Sequence, residues 1–159
     1  VTTLPNPEST VDPASFTVRR SVFIAATREK VWAAVTEPEH LTKWWCTRAE
    51  FAQLAAGTEG YFAFDGYGNL ATRIEEVDPP NAVSYRWGQM ITDDNADDDH
   101  FAQSTVFRFT LDEVEGGTLL TVVESGFETL TDPSRSMDEN RDGWNTELDE
   151  LVAYLDGAA

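Results

Sequence analysis

Few residues in this 159-residue chain can carry proton transfer, nucleophilic attack or metal ligation. There are two histidines, His40 and His100, and one cysteine, Cys46. Neither histidine belongs to a recognised metal-ligand motif, and both are expected at the surface. Cys46 follows Trp45 and reads as a small buried residue rather than a nucleophile. A lone cysteine also excludes an intrachain disulfide and a cysteine-rich zinc site. Gly57-Thr58-Glu59-Gly60 lacks a lysine and sits in acidic sequence, so it is no phosphate cradle. Asp93-Asp94-Asn95-Ala96-Asp97-Asp98-Asp99 gathers carboxylates of the kind that bind calcium, yet lacks the glycine and bidentate glutamate of the twelve-residue calcium loop. A solvated, mobile loop over Gly88–Gln103 is expected instead. No catalytic residue, metal or cofactor is assigned.

The informative set is aromatic. Trp44, Trp45, Phe62, Phe64, Tyr85, Trp87, Phe107, Phe109 and Trp144 are a heavy load for one small domain. Most can fill a core, while some can line a cavity where rings and a few polar groups hold an apolar or aromatic ligand. Trp144 and Trp87 are the expected lining, with Phe62, Phe64, Tyr85, Phe107 and Leu148 as further wall; Trp44, Trp45, Phe109 and Leu151 complete the candidate set. Gly143 beside Trp144 removes a side chain and makes room. Arg20, Arg73, Arg86, Arg108 and Glu124 are charges inside predicted strands. Most should face solvent; an inward one needs a partner, and Arg108 or Arg20 with Glu124 would then anchor a ligand's polar end.

Eleven Lys and Arg against 29 Asp and Glu give a net charge of −18. Such a surface repels phosphates, so nucleic acid and anionic membrane are poor partners. No apolar run approaches the roughly twenty residues of a membrane span. Val1 to Ser15 lacks the basic-then-apolar order of a signal peptide. A cytoplasmic location is the expectation.

Positioning such a set takes one domain's worth of elements. Residues 1–15 carry Pro5, Pro7 and Pro13 without an apolar period, which predicts a flexible arm, followed by a domain over 16–159. Phe16, Val18, Val22 and Ile24 alternate as a strand, with Arg20 and Phe23 breaking the pattern. Thr27 caps a short helix over 28–35, and Thr36 with Glu39 marks a second, with Pro38 in its first turn. A meander of about six short strands follows, with turns at Asp65–Asn69, Asp78–Asn81 and Glu115–Gly117. Ser136 and Glu139 read as a capping box opening a long helix whose apolar stripe is Trp144, Leu148, Leu151, Val152 and Leu155. One face of an antiparallel meander needs cover, and this helix is the obvious cover. Alternate loops then gather near the start of the helix as a cavity mouth.

Five segments in order resemble one family. They are Ala25 to Trp32 ("Ala-x-x-x-x-Val-Trp"), Thr36 to Trp45 ("Thr-x-Pro-x-x-x-x-x-Trp-Trp"), Glu75 to Pro80 with Val83, Tyr85 and Trp87, Gly117 to Phe127 ("Gly-Thr-x-Leu" to "Ser-Gly-Phe"), and Gly143-Trp144 to Leu151. This pattern resembles the START-like, birch-pollen-allergen-like (SRPBCC) superfamily, in the single-domain bacterial branch named after the activator of heat-shock-protein-90 ATPase. The resemblance implies an α+β helix-grip fold: a curved antiparallel sheet of about seven strands wrapped on a long C-terminal helix, with two short helices after the first strand. It also implies an apolar cavity between sheet and helix. Three functions follow: a non-catalytic carrier or sensor of a small apolar molecule, a cofactor-independent polyketide cyclase or dehydratase, or an interaction protein with a chaperone partner, the last by family name only. The chain is expected to act as a monomer or homodimer.

Overall fold

The computed structural model describes residues 6–157. Its strands are β1 (Thr10–Asp12), β2 (Thr17–Ile24), β3 (Arg48–Glu50), β4 (Glu59–Phe64), β5 (Gly68–Asp78), β6 (Ala82–Ile91), β7 (Thr105–Val114) and β8 (Gly117–Ser125). They form one antiparallel sheet in the order β1-β2-β8-β7-β6-β5-β4-β3. Helices α1 (Arg28–Thr36) and α2 (Pro38–Trp44) follow β2, and α3 (Pro133–Gly157) closes the chain. The helix-grip architecture is therefore present, with eight strands rather than about seven.

The eighth strand is β1, which lies in the segment expected to be a loose arm. Thr10 pairs opposite Arg19, and the Ser9 amide donates to Asn145 Oδ1 at 2.7 Å. Pro7 and Pro13 flank this pairing without interrupting it, because an edge strand needs hydrogen bonds on one side only. Residues 1–5 lie outside the described residues.

Strict alternation selects the gripping face. Val18, Arg20, Val22 and Ile24 of β2, Thr105, Phe107, Phe109 and Leu111 of β7, and Thr118, Leu120, Val122 and Glu124 of β8 are all buried. Arg20 is thus in phase with its apolar neighbours, not a break in the pattern. Two register shifts interrupt the pairing of β5 with β6 and locally increase its twist. Gly88 lies at the first. A Cβ there would sit 1.9 Å from the His100 carbonyl oxygen, which accepts from the Gln89 amide at 2.9 Å. The loop expected to start at Gly88 therefore starts after Ile91 and folds back on β6. His100 Nε2 meets the Asn95 carbonyl at 2.8 Å, while the five aspartates of the loop stay exposed.

The caps differ in detail from the sequence expectation. Thr27 caps α1 by accepting from the Lys30 amide, as its position implies. Thr36 does not cap α2; it ends α1 with its hydroxyl donating to the Trp32 carbonyl at 2.7 Å, and Glu37 takes the cap position. α3 starts at Pro133, with Asp132 accepting from the Arg135 amide. Ser136 and Glu139 therefore lie inside the helix, where Glu139 pairs with Arg135 at 3.0 Å. Among the described residues no helix is long and apolar enough to cross a membrane.

Candidate functional site

Three indoles meet where α2, β6 and α3 converge. Trp45, just past α2, stacks on Trp87 of β6 (centroids 5.5 Å, interplanar 25°) and on Trp144 of α3 (5.1 Å, 27°). Phe64 of β4 meets Trp45 edge-on at 6.3 Å. Such ring pairs add stability beyond their buried area. They also let three elements share one apolar cluster.

Beneath the stack lies a fully buried carboxyl, Glu124. It accepts from Trp144 Nε1 at 2.8 Å, from Trp87 Nε1 at 3.1 Å, from Asn140 Nδ2 at 3.0 Å and from the Thr105 hydroxyl. Burial pushes its pKa above the ordinary carboxylate range, against the pull of these neutral donors. The expected partnership of Glu124 with Arg20 or Arg108 is not made. Arg108 pairs with Glu76 on the outer face at 2.7 Å. Arg20 turns inward and donates to the backbone carbonyls of Pro7 (2.9 Å), Trp144 (3.2 Å) and Asn145 (2.8 Å) and to Asp149 (2.6 Å). The two inward charges therefore both hold Trp144, one by its main chain and one by its indole.

A half-open cavity of about 150 Å³ adjoins the stack. Rings of Trp45, Phe64, Trp87 and Trp144 line it, with Asn140, Gly143 and Glu147 from α3. A shallower apolar groove continues past Phe64 and Trp87 to Leu70, Met90 and the exposed Tyr67. Two polar atoms of the cavity residues are buried without a hydrogen-bond partner: Trp45 Nε1 and Glu147 Oε2. Burial, with the nearby Glu150 carboxylate, pushes the Glu147 carboxyl up to about 7. Burial, with the Glu147 carboxylate adding to it, pushes the Cys46 thiol up to about 12.

Because the folded state holds the Glu147 proton more tightly than the unfolded chain, its contribution to stability falls as pH rises from 4.5 through about 7. Glu147→Gln is expected to raise the melting temperature by about 2–5 °C at pH 8 and to leave it unchanged at pH 4, after allowance for solvent screening. Thermal denaturation at the two pH values measures this.

Of the residues singled out from sequence, Trp45, Phe64, Trp87 and Trp144 surround the cavity. Trp44, Phe62, Tyr85, Phe107, Phe109, Leu148 and Leu151 take places in the packed core. Trp44 donates to the Ala34 carbonyl at 2.8 Å and Tyr85 to the Val35 carbonyl at 2.7 Å, so both anchor α1. Cys46 is buried. His40 is half-buried, 2.7 Å from the Tyr154 hydroxyl. Sequence reasoning missed Asn140 and Glu147. Their signal is helical spacing: they stand four residues before and three after Trp144, on the face that also carries Leu148 and Leu151.

An antiparallel sheet gripping one long helix, with an aromatic cavity beside the middle of that helix, is the arrangement of a START-like, SRPBCC domain. The chain belongs to the family described as Activator of Hsp90 ATPase homolog 1-like protein, whose model matches residues 25–156. Protein MLL2253 of Mesorhizobium loti is similar in structure, with a TM-score of 0.76 at 28% identity over 90% of this chain and 98% of that one. The Aha1 dimer of Colwellia psychrerythraea has a TM-score of 0.67 at 21% identity over 87% and 95% of the two chains. CalU16 of Micromonospora echinospora has a TM-score of 0.65 at 21% identity over 93% and 82%. Among curated proteins none matches the chain.

Proposed function

We propose that the protein binds a small apolar or aromatic molecule, without changing it, in the cavity between sheet and α3. The observation that carries this reading is Gly143. It lies inside α3, where glycine costs about 1 kcal/mol relative to alanine. It is exposed at the open side of the cavity, and a Cβ built on it meets nothing within 4 Å. The space is open where a side chain would stabilise the helix. An engineered apolar cavity of roughly this size holds a single benzene ring. Three of the five tryptophans touch the cavity, so indole fluorescence reports occupancy.

Titration with a panel of flavonoids, fatty acids and polyketide-like aromatics is expected to give saturable quenching by some members. Gly143→Leu sets a branched side chain at the cavity mouth from a helical position and is expected to block that quenching while melting at or above the wild type. Quenching that survives Gly143→Leu, or no saturable response to any compound, removes the reading.

One observation favours a second reading, a cofactor-independent cyclase or dehydratase. Glu147 is a carboxyl raised to about 7 at the cavity wall, the range in which an acid–base group works best near neutral pH. Turnover of a bound compound that is lost in Glu147→Gln supports it over the carrier.

A further inference from the structure

We propose that the cavity selects a cationic ligand: a small primary or secondary amine whose apolar or aromatic body lies among the indoles and whose ammonium donates to Glu147. This rests on the cavity being a ligand site, as proposed above. The wall chemistry supplies the argument. Four aromatic rings and one carboxylate line the space, and among the described residues no Lys, Arg or His lines it. The one formal charge the wall can carry is therefore negative. Glu147 Oε2 is buried and accepts no hydrogen bond from the protein. A buried acceptor without a donor is a standing cost that a ligand N–H removes.

Glu124 shows what this fold does with a carboxyl it means to close. It surrounds that group with Trp87, Trp144, Thr105 and Asn140 donors. Glu147 receives no such shell; its neighbour on the helix, Glu150, adds like charge and a carboxyl–carboxyl hydrogen bond that holds only while a proton is shared between them. An ammonium at Glu147 relieves both the missing donor and the repulsion. A neutral hydroxyl relieves only the first, and a carboxylate ligand aggravates the second. Asn140 spends its amide N–H on Glu124, which leaves its carbonyl oxygen as a further acceptor at the cavity. Trp45 Nε1, the other unpartnered atom, asks for one acceptor on the ligand and does not discriminate charge.

The test holds shape constant and varies charge. Benzylamine, cationic at pH 8, is compared with benzyl alcohol and benzoate by indole fluorescence in 0.15 M salt, where the field of the distant acidic surface is screened beyond about 8 Å. Benzylammonium is expected to bind about tenfold more tightly than benzyl alcohol, and benzoate more weakly than either. Glu147→Gln is expected to bring benzylammonium to the level of benzyl alcohol while melting no lower than the wild type. Glu113→Gln with Glu115→Gln, the same kind of charge loss at the β7–β8 turn, the end of β7 opposite Thr105 and Trp87, is expected to change nothing. Equal binding of benzylamine and benzyl alcohol to the wild type, or a preference that persists in Glu147→Gln, overturns the assignment of a cation and leaves the cavity as a ligand site. If none of the three binds and the wider panel is also silent, the ligand site itself is overturned.

Discussion

Glu124→Ala is expected to cost about 3–5 kcal/mol of folding stability, the sum of several buried donors left unsatisfied at about 1–3 kcal/mol each, less the carboxyl's own burial cost. The reason is arithmetic of donors. Two indole N–H groups, an amide and a hydroxyl converge on this carboxyl; alanine leaves the Trp144 indole, the Asn140 amide and the Thr105 hydroxyl without this acceptor, whereas Trp87 Nε1 keeps the Thr105 oxygen at 2.7 Å. For a chain of this length the melting temperature should fall by about 10–15 °C. Near-UV circular dichroism of the native state should weaken as well, because Trp144 loses the acceptor that orients it against Trp45, while Trp87 keeps only Thr105. Glu124→Gln keeps the shape and one acceptor oxygen but turns an amide toward donors; about half the loss is expected. An alanine variant as stable as the wild type would show that the shell contributes nothing net.

Arg20→Met ranks second, at about 2–4 kcal/mol. Methionine preserves the apolar stem but removes the guanidinium that ties β2 to the Pro7 carbonyl, to two carbonyls of α3 and to Asp149. The helical carbonyls keep helix-internal partners, and the Asp149 carboxylate is largely exposed, so the loss is smaller than at Glu124. The local consequence should be greater than the global one. β1 is held at the sheet edge by its pairing with β2 and by the Ser9–Asn145 bond, and Arg20 fastens the chain just before it. Amide exchange at Thr10–Asp12 is expected to accelerate more in Arg20→Met than exchange in β7 or β8. Arg20→Lys should recover only part of the stability, since one ammonium cannot span four acceptors in a fixed fork.

Much of the fold was legible because periodicity is local. The alternation in β7 and the stripe of α3 declare their buried faces within a few residues, and an amphipathic helix beside a one-faced meander has one sensible partner. The elements that were misread depend on distant chain. β1 has no apolar pattern of its own and exists because β2 offers an unpaired edge. The helix caps moved by a few residues because Asp132 caps α3 ahead of Ser136, and because the Thr36 hydroxyl bonds back to the Trp32 carbonyl and leaves Glu37 at the start of α2.

By itself, the sequence determined the helix-grip order of elements, the aromatic character of the interior and the acidic surface, since these follow from residue type and short-range spacing. Only the tertiary structure decided which rings pack and which border open space. It also decided that Arg20 and Glu124 both face inward and that they grip Trp144 rather than each other. It placed Glu147 at the cavity with an oxygen unpartnered. A charged residue inside a strand or a helix carries no local mark of its partner. Burial, hydrogen bonding and the resulting pKa are set by side chains that arrive from other strands and from α3, and those neighbours exist only once the sheet has closed on the helix.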